Sequence, residues 1–282
     1  LGQIGKPAKV AIPQLISLLK DTDPYVRMSV VNALGGVGEP AVTIPQLIPL
    51  LKDENSNVRG AIAFVLGKMG KSTEVAIPQL IPLLKDPNPD IRLNAVDALG
   101  RIGKSAKVAI PQLIPLLRDP EPRVRSTLAF ALAGMGESAK VLLLLRDVEP
   151  SVRRVAVNAL GELGESTKAT VPQLIPLLKD TDSNVRSSVI NMLRGVGEPA
   201  KVAIPQLIPL LKDSYPYVRI NAADTLEKMG YQPERMRQFR QKELLKLGPA
   251  IGNGPAIGNG SPENTCPIRS PARGEPASST FR

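Results

Sequence analysis

The chain has 282 residues and a net charge of +10, with no His, no Trp, four Phe and four Tyr against 28 Pro and 23 Gly. A core this poor in aromatics has to be aliphatic, and chemistry that depends on imidazole is excluded. The unbroken apolar runs, such as Val141 to Leu145, are short and fall far below the roughly 20 residues of a membrane span.

The opening residues lack the layout of a secretory signal. The single cysteine, Cys266, rules out an internal disulfide and fits a reducing compartment, so a cytoplasmic protein is expected. The charge permits an acidic partner without demanding one.

In chain order, the first recognisable element is PQLISLLKD at 13–21. It returns as PQLIPLLKD at 45–53, 78–86, 172–180 and 205–213, and as PQLIPLLRD at 111–119. The closing aspartates are Asp21, Asp53, Asp86, Asp119, Asp147, Asp180 and Asp213, in steps of 32, 33, 33, 28, 33 and 33 residues. A fixed period of this length marks a solenoid. The units run over 8–38, 41–70, 74–103, 107–136, 140–164, 168–197 and 201–230.

Each unit reads as two helices. In the first, Val10, Leu15, Leu18 and Leu19 lie near helical spacing, and an interior proline such as Pro45 predicts a bend. A basic column closes it: Lys20, Lys52, Lys85, Arg118, Arg146, Lys179 and Lys212, suited to a helix C-terminus. The second helix opens at turns such as DPYVR and NSNVR. Its buried stripe is Val26, Val30, Ala33, Leu34 and Val37. The glycine pairs Gly35/Gly38, Gly67/Gly70, Gly100/Gly103 and Gly161/Gly164 are expected to end it in left-handed conformations.

The fifth unit, AKVLLLLRD, lacks five residues present in the fourth, including both prolines, so its first helix is expected to be shorter and unbent. The first residues match the end of one unit, as though a preceding helix had been cut away. Residues 233–247 predict a capping helix with Met236, Phe239, Leu244 and Leu247 on one side. From 248 to 282 the Gly/Pro/Ser-rich composition predicts a disordered tail.

Proline, Asp eight residues on, then Val-Arg five and six further (Pro13, Asp21, Val26, Arg27) resembles the HEAT-repeat pattern. The units are most similar to the bacterial HEAT-like repeats named from phycobilisome lyases. The resemblance implies an all-α, right-handed superhelix of paired antiparallel helices with the second helices on the concave side. It also implies a ladder between the aspartate column and Arg27, Arg59, Arg92, Arg125, Arg153, Arg186 and Arg219. Taken as exposed pairs, these are worth only ~0–1 kcal/mol each and set register.

HEAT-like enzymes that bind iron through His-Glu motifs need histidine, and those that bind alkylated bases use tryptophan clefts; the chain has neither His nor Trp. No catalytic residue, cofactor site or metal site is expected. The function expected is a non-catalytic scaffold for a protein partner. Alternatives are a phycobilin lyase-like subunit or chaperone, which bilin binding would reveal, and nucleic-acid or acidic-partner binding through the basic stripe. The expected partner face consists of the second-helix columns that vary between units. The first is Tyr25, Asn57, Asp90, Arg123, Ser151, Asn184 and Tyr217; the second is Met28, Gly60, Leu93, Ser126, Arg154, Ser187 and Ile220. The third is Asn32, Phe64, Asp97, Phe130, Asn158, Asn191 and Asp224, where two rings stand among Asn and Asp as interface anchors.

Overall fold

The computed structural model describes residues 6–37, 39–163 and 168–247. The tail expected to be disordered lies outside the described residues, as do Gly38 and Gly164.

The second helices of the seven units are α1 (Pro24–Val37), α2 (Ser56–Met69), α3 (Pro89–Ile102), α4 (Pro122–Gly134), α5 (Pro150–Gly161), α6 (Ser183–Val196) and α7 (Pro216–Lys228). A further helix, α8 (Pro233–Lys246), follows. At α2, α3 and α6 the start is set by a short polar side chain that accepts the first free amides. Asn55 accepts from Asn57 and Val58, Asn88 from Asp90, and Asp182 from Asn184 and Val185. Proline in the first turn loses no intrahelical bond there.

The first half of each unit is not one bent helix. In the third unit it is a 3-10 turn (Gly70–Ala76), one α-turn (Ile77–Leu80) and a second 3-10 turn (Ile81–Lys85). Each proline stands in the first turn of its short segment, where the missing N–H is not needed. Only Pro45 lies inside an α-helix, Pro40–Leu47. Three residues per turn also shifts the apolar register. Leu15 and Leu19 are buried, whereas Val10, expected on the same side, is exposed. Leu18 is exposed as well, although Leu83, Leu116, Leu144 and Leu210 in its column are buried.

In the fifth unit the first half is shortened to Ser138–Val141 followed by the 3-10 turn Leu142–Arg146. That turn forms without a proline, so proline is not what switches the segment from α to 3-10. Val141 takes the buried place that Leu113 holds in the fourth unit, both at 0% exposure.

Helices α1 to α7 stand side by side, each packed along the next, and α8 closes on α7. In the pairs Gly67/Gly70 and Gly100/Gly103 the two glycines do different work. The second has positive φ, as at Gly70 and Gly103, and terminates the helix. The first lies within the helix and lets the next helix approach: a Cβ on Gly100 would meet the Ala131 Cα at 2.7 Å. Left-handed termination by both glycines therefore does not hold.

One continuous core runs from Ile12 to Met236, and its buried members are aliphatic or Met. The Leu34 column is 0% exposed through Leu226, each side chain contributing about 2–3 kcal/mol of burial. In α8, Met236 is buried and Phe239 packs on the core, but Leu244 is exposed and Glu243 is buried instead.

Candidate interaction surface

Each unit is joined to the next by one arginine. Arg27 donates through Nε and Nη2 to both carboxylate oxygens of Asp53 at 2.8 Å, and through Nη1 to the carbonyls of Asp21 and Thr22. Asp53 Oδ1 also accepts the amide of Asn55. The same joint recurs from Arg59 to Asp86, Arg92 to Asp119, Arg125 to Asp147, Arg153 to Asp180 and Arg186 to Asp213. Arg219 uses Glu243 of α8. Asp21 accepts the Asp23 amide but holds no guanidinium among the described residues.

These are not exposed pairs: their side chains keep 3–19% of their exposure. The weak valuation appropriate to a wet surface therefore does not apply. Burial pulls the Asp53 carboxyl upward, but the Arg27 hydrogen bond, the Asn55 amide and the charges of Arg27 and Arg59 outweigh it. It sits below the ordinary carboxylate range, and Asp119, Asp147 and Asp180 do the same for the same reasons. With every ladder arginine committed to a carboxylate, none is free to grip phosphate.

The three varying columns lie on one side of the second helices. Tyr25, Tyr217, Asn32, Asn158 and Asn191 are exposed, and Phe64 is exposed with the Lys68 ammonium 5.4 Å from its ring centre. Met28, Leu93, Asp97, Phe130, Arg154 and Asp224 are half-buried. Of these, Met28, Leu93 and Phe130 pack against the core rather than pointing away from it, because close helix stacking shields the flanking columns.

The acidic members of the columns are already occupied. Asp90 pairs with Arg123 at 3.2 Å, Asp97 with Arg101 at 2.8 Å, and Asp224 with both Arg194 and Arg240 at 2.5 Å. What remains is a surface of Asn, Ser, Tyr and Phe, with Arg154 carrying no ion pair among the described residues. Two further columns belong to this side and escaped sequence reasoning. Ser29 and Asn94 lie four residues after the Tyr25 column, and Lys68, Arg101 and Lys228 lie eleven after it. Helical spacing from Tyr25 was the signal that could have found them.

A hollow lined by Leu15, Tyr25, Val26, Ser29, Val30 and Ala33 opens beside α1. Val58, Ile91 and Val124, which match Val26, are covered in later units by the preceding second helix. The hollow is thus the stacking face of the repeat. Among the described residues, no group of His, Cys, Asp and Glu is placed to hold a metal ion, and no helix is long and apolar enough to cross a membrane.

Family models describing HEAT repeats match residues 44–133 and 138–227, and one describing a HEAT repeat matches 11–39. No curated protein sequence matches. Among solved structures, the chain is similar to the YibA protein of Escherichia coli, with a TM-score of 0.57 and 22% identity over 83% of this chain and 91% of that one. It is similar to an engineered protein, with a TM-score of 0.52 and 20% identity over 86% and 75% of the two chains. It is also similar to a chain in the complex of CpcE and CpcF of phycocyanin lyase from Nostoc sp., at 0.49 and 21% over 82% and 94%. These likenesses are likenesses of fold.

Proposed function

The chain belongs to the HEAT-repeat family, and on that footing we propose that it is a non-catalytic scaffold holding a protein partner on the solvent side of its second helices. One observation supports this above others. Within the same helices, the Leu34 column is invariant across the units and fully buried, while the Tyr25 column is exposed and holds five residue types in seven units. Packing dictates the first and leaves the second free to be shaped by a partner. The available groups, uncharged hydrogen-bonding side chains around Tyr25, Phe64 and Tyr217, have the make-up of an interface centre. In this reading the second helices line the concave side of the stack.

The test places a photo-crosslinking side chain at Asn158 or Asn191 in the full chain, in extract of the source cell. A discrete protein adduct is expected, competed by unlabelled protein and weakened at least about tenfold by Phe64→Ala with Tyr217→Ala. Capture that ignores both substitutions would overturn the reading. Phe130→Ala is a poor probe, because its half-buried ring also supports the core.

A further inference from the structure

The other layer of the stack carries a surface that varies much less: Ser17 in the first unit, Ala169 in the sixth and the shortened fifth unit are its departures. In the second unit Val42, Pro45, Pro49 and Lys52 follow one another at i, i+3, i+7 and i+10, and all four are exposed. Val75, Pro78, Pro82 and Lys85 repeat the arrangement one unit on, again exposed throughout. The valines of this column, Val10, Val42, Val75, Val108 and Val202, are 46–82% exposed. Side by side, the units display a row of valines, two rows of prolines and a row of cations.

Architecture does not require this surface. The fifth unit has neither proline, yet Leu142–Arg146 makes the same 3-10 turn and Asp147 takes Arg125 at 2.6 Å. Nor have the units lacked room to diverge, since the exposed columns of their second helices differ from copy to copy. A surface that is exposed, dispensable to the fold and nevertheless repeated in most units calls for a contact that reads it.

Its charge identifies the kind of contact. The cations from Lys20 to Lys212 are exposed and make no ion pair among the described residues, while the carboxylates that follow Lys52 to Lys212 in sequence turn inward to the ladder. We infer that the outer face of the first layer is a second docking surface, and that its occupant is an acidic protein segment carrying apolar side chains. Carboxylates match the cation row, and apolar groups cover the valine and proline rows. A second copy of the chain would bring like charge against like. A nucleic-acid duplex offers the apolar rows nothing, and the face carries none of the Trp or Tyr that anchor proteins at a bilayer. Each unit adds one row at about the 8–10 Å spacing of packed helices, so contacts accumulate along the segment. This surface is independent of the second-helix site.

The experiment titrates the full chain with a synthetic Glu-Leu-Gly repeat peptide, the matching Glu-Ser-Gly peptide, phosphatidylserine vesicles and duplex DNA. The Glu-Leu-Gly peptide is expected to bind best. Lys52→Glu with Lys85→Glu and Arg118→Glu should lower its affinity at least about tenfold. Val75→Gln with Val108→Gln, which leaves every charge in place, should also weaken it. Phe64→Ala with Tyr217→Ala should leave it unchanged. Equal binding of the Ser peptide, preference for vesicles or DNA, or indifference to both sets of substitutions overturns the proposal.

Discussion

Arg219 donates from Nε to Oε2 of Glu243 at 2.7 Å, closing on a glutamate in α8 the joint that every preceding unit closes on an aspartate. Glu243 also takes the Lys246 ammonium, and this contact together with the Arg219 guanidinium outweighs the upward pull of burial and holds its carboxyl below the usual range. The last helix is thus fastened to the stack by the same chemistry as a repeat, although its sequence is not one.

Glu243→Gln should therefore loosen α8 first. A shielded guanidinium left with a neutral acceptor costs about 1–3 kcal/mol. Hydrogen exchange should accelerate across residues 233–246 while the amides of α2 to α5 keep their protection. Uniform loss of protection would show that the joint is not local.

Acid should dismantle the stack through the ladder. Asp53, Asp119, Asp147, Asp180 and Glu243 have folded pKa values below their unfolded ones. Their contribution is complete above the unfolded carboxylate range near pH ~4 and is lost as pH falls through the lower folded values. Urea midpoints should stay flat from neutrality to about pH 5 and then drop. Asp119→Asn should lower the plateau and reduce the drop.

The in-helix glycines allow a paired test. Gly100→Ala sets a Cβ 2.7 Å from the Ala131 backbone and should cost about 1–3 kcal/mol as the helices are forced apart. Gly195→Ala meets nothing within 4 Å and should gain about 0.5–1 kcal/mol from helix propensity. Melting temperatures moving in opposite directions are the expected result.

The fifth unit allows another. Val108 and Val141 both end the triplet Ala-Lys-Val, yet the first is 66% exposed and the second 0%. Val141→Ala should cost about 1–2.5 kcal/mol, while Val108→Ala stays within about 0.5. Equal effects would show that the shortened unit is seated differently.

The period, the two-helix division and the aliphatic core were legible because they rest on recurrence and composition. The Leu34 column and the starts of α2, α3 and α6 could be read directly, since a 3.6-residue stripe and a short polar cap are local signals. The first halves could not. They alternate between α and 3-10 turns, so a single helical period misassigns Val10. Gly35 and its copies hid their function because close approach depends on which residue the next helix presents. Glu243 was invisible as a partner, since the period that announces the aspartates ends before it. Among the candidate site residues, exposure of the Tyr25 column followed from helical phase, whereas the shielding of Phe130 depends on the neighbouring helix.

The joint spans 27 residues from Arg92 to Asp119 but only 22 from Arg125 to Asp147, with its bonds unchanged. What lies between two fittings can be shortened without disturbing either. The stack is therefore a set of interchangeable parts: a gene built this way can gain or lose a unit by unequal recombination, and the product still couples end to end. Length becomes a heritable variable that selection can adjust.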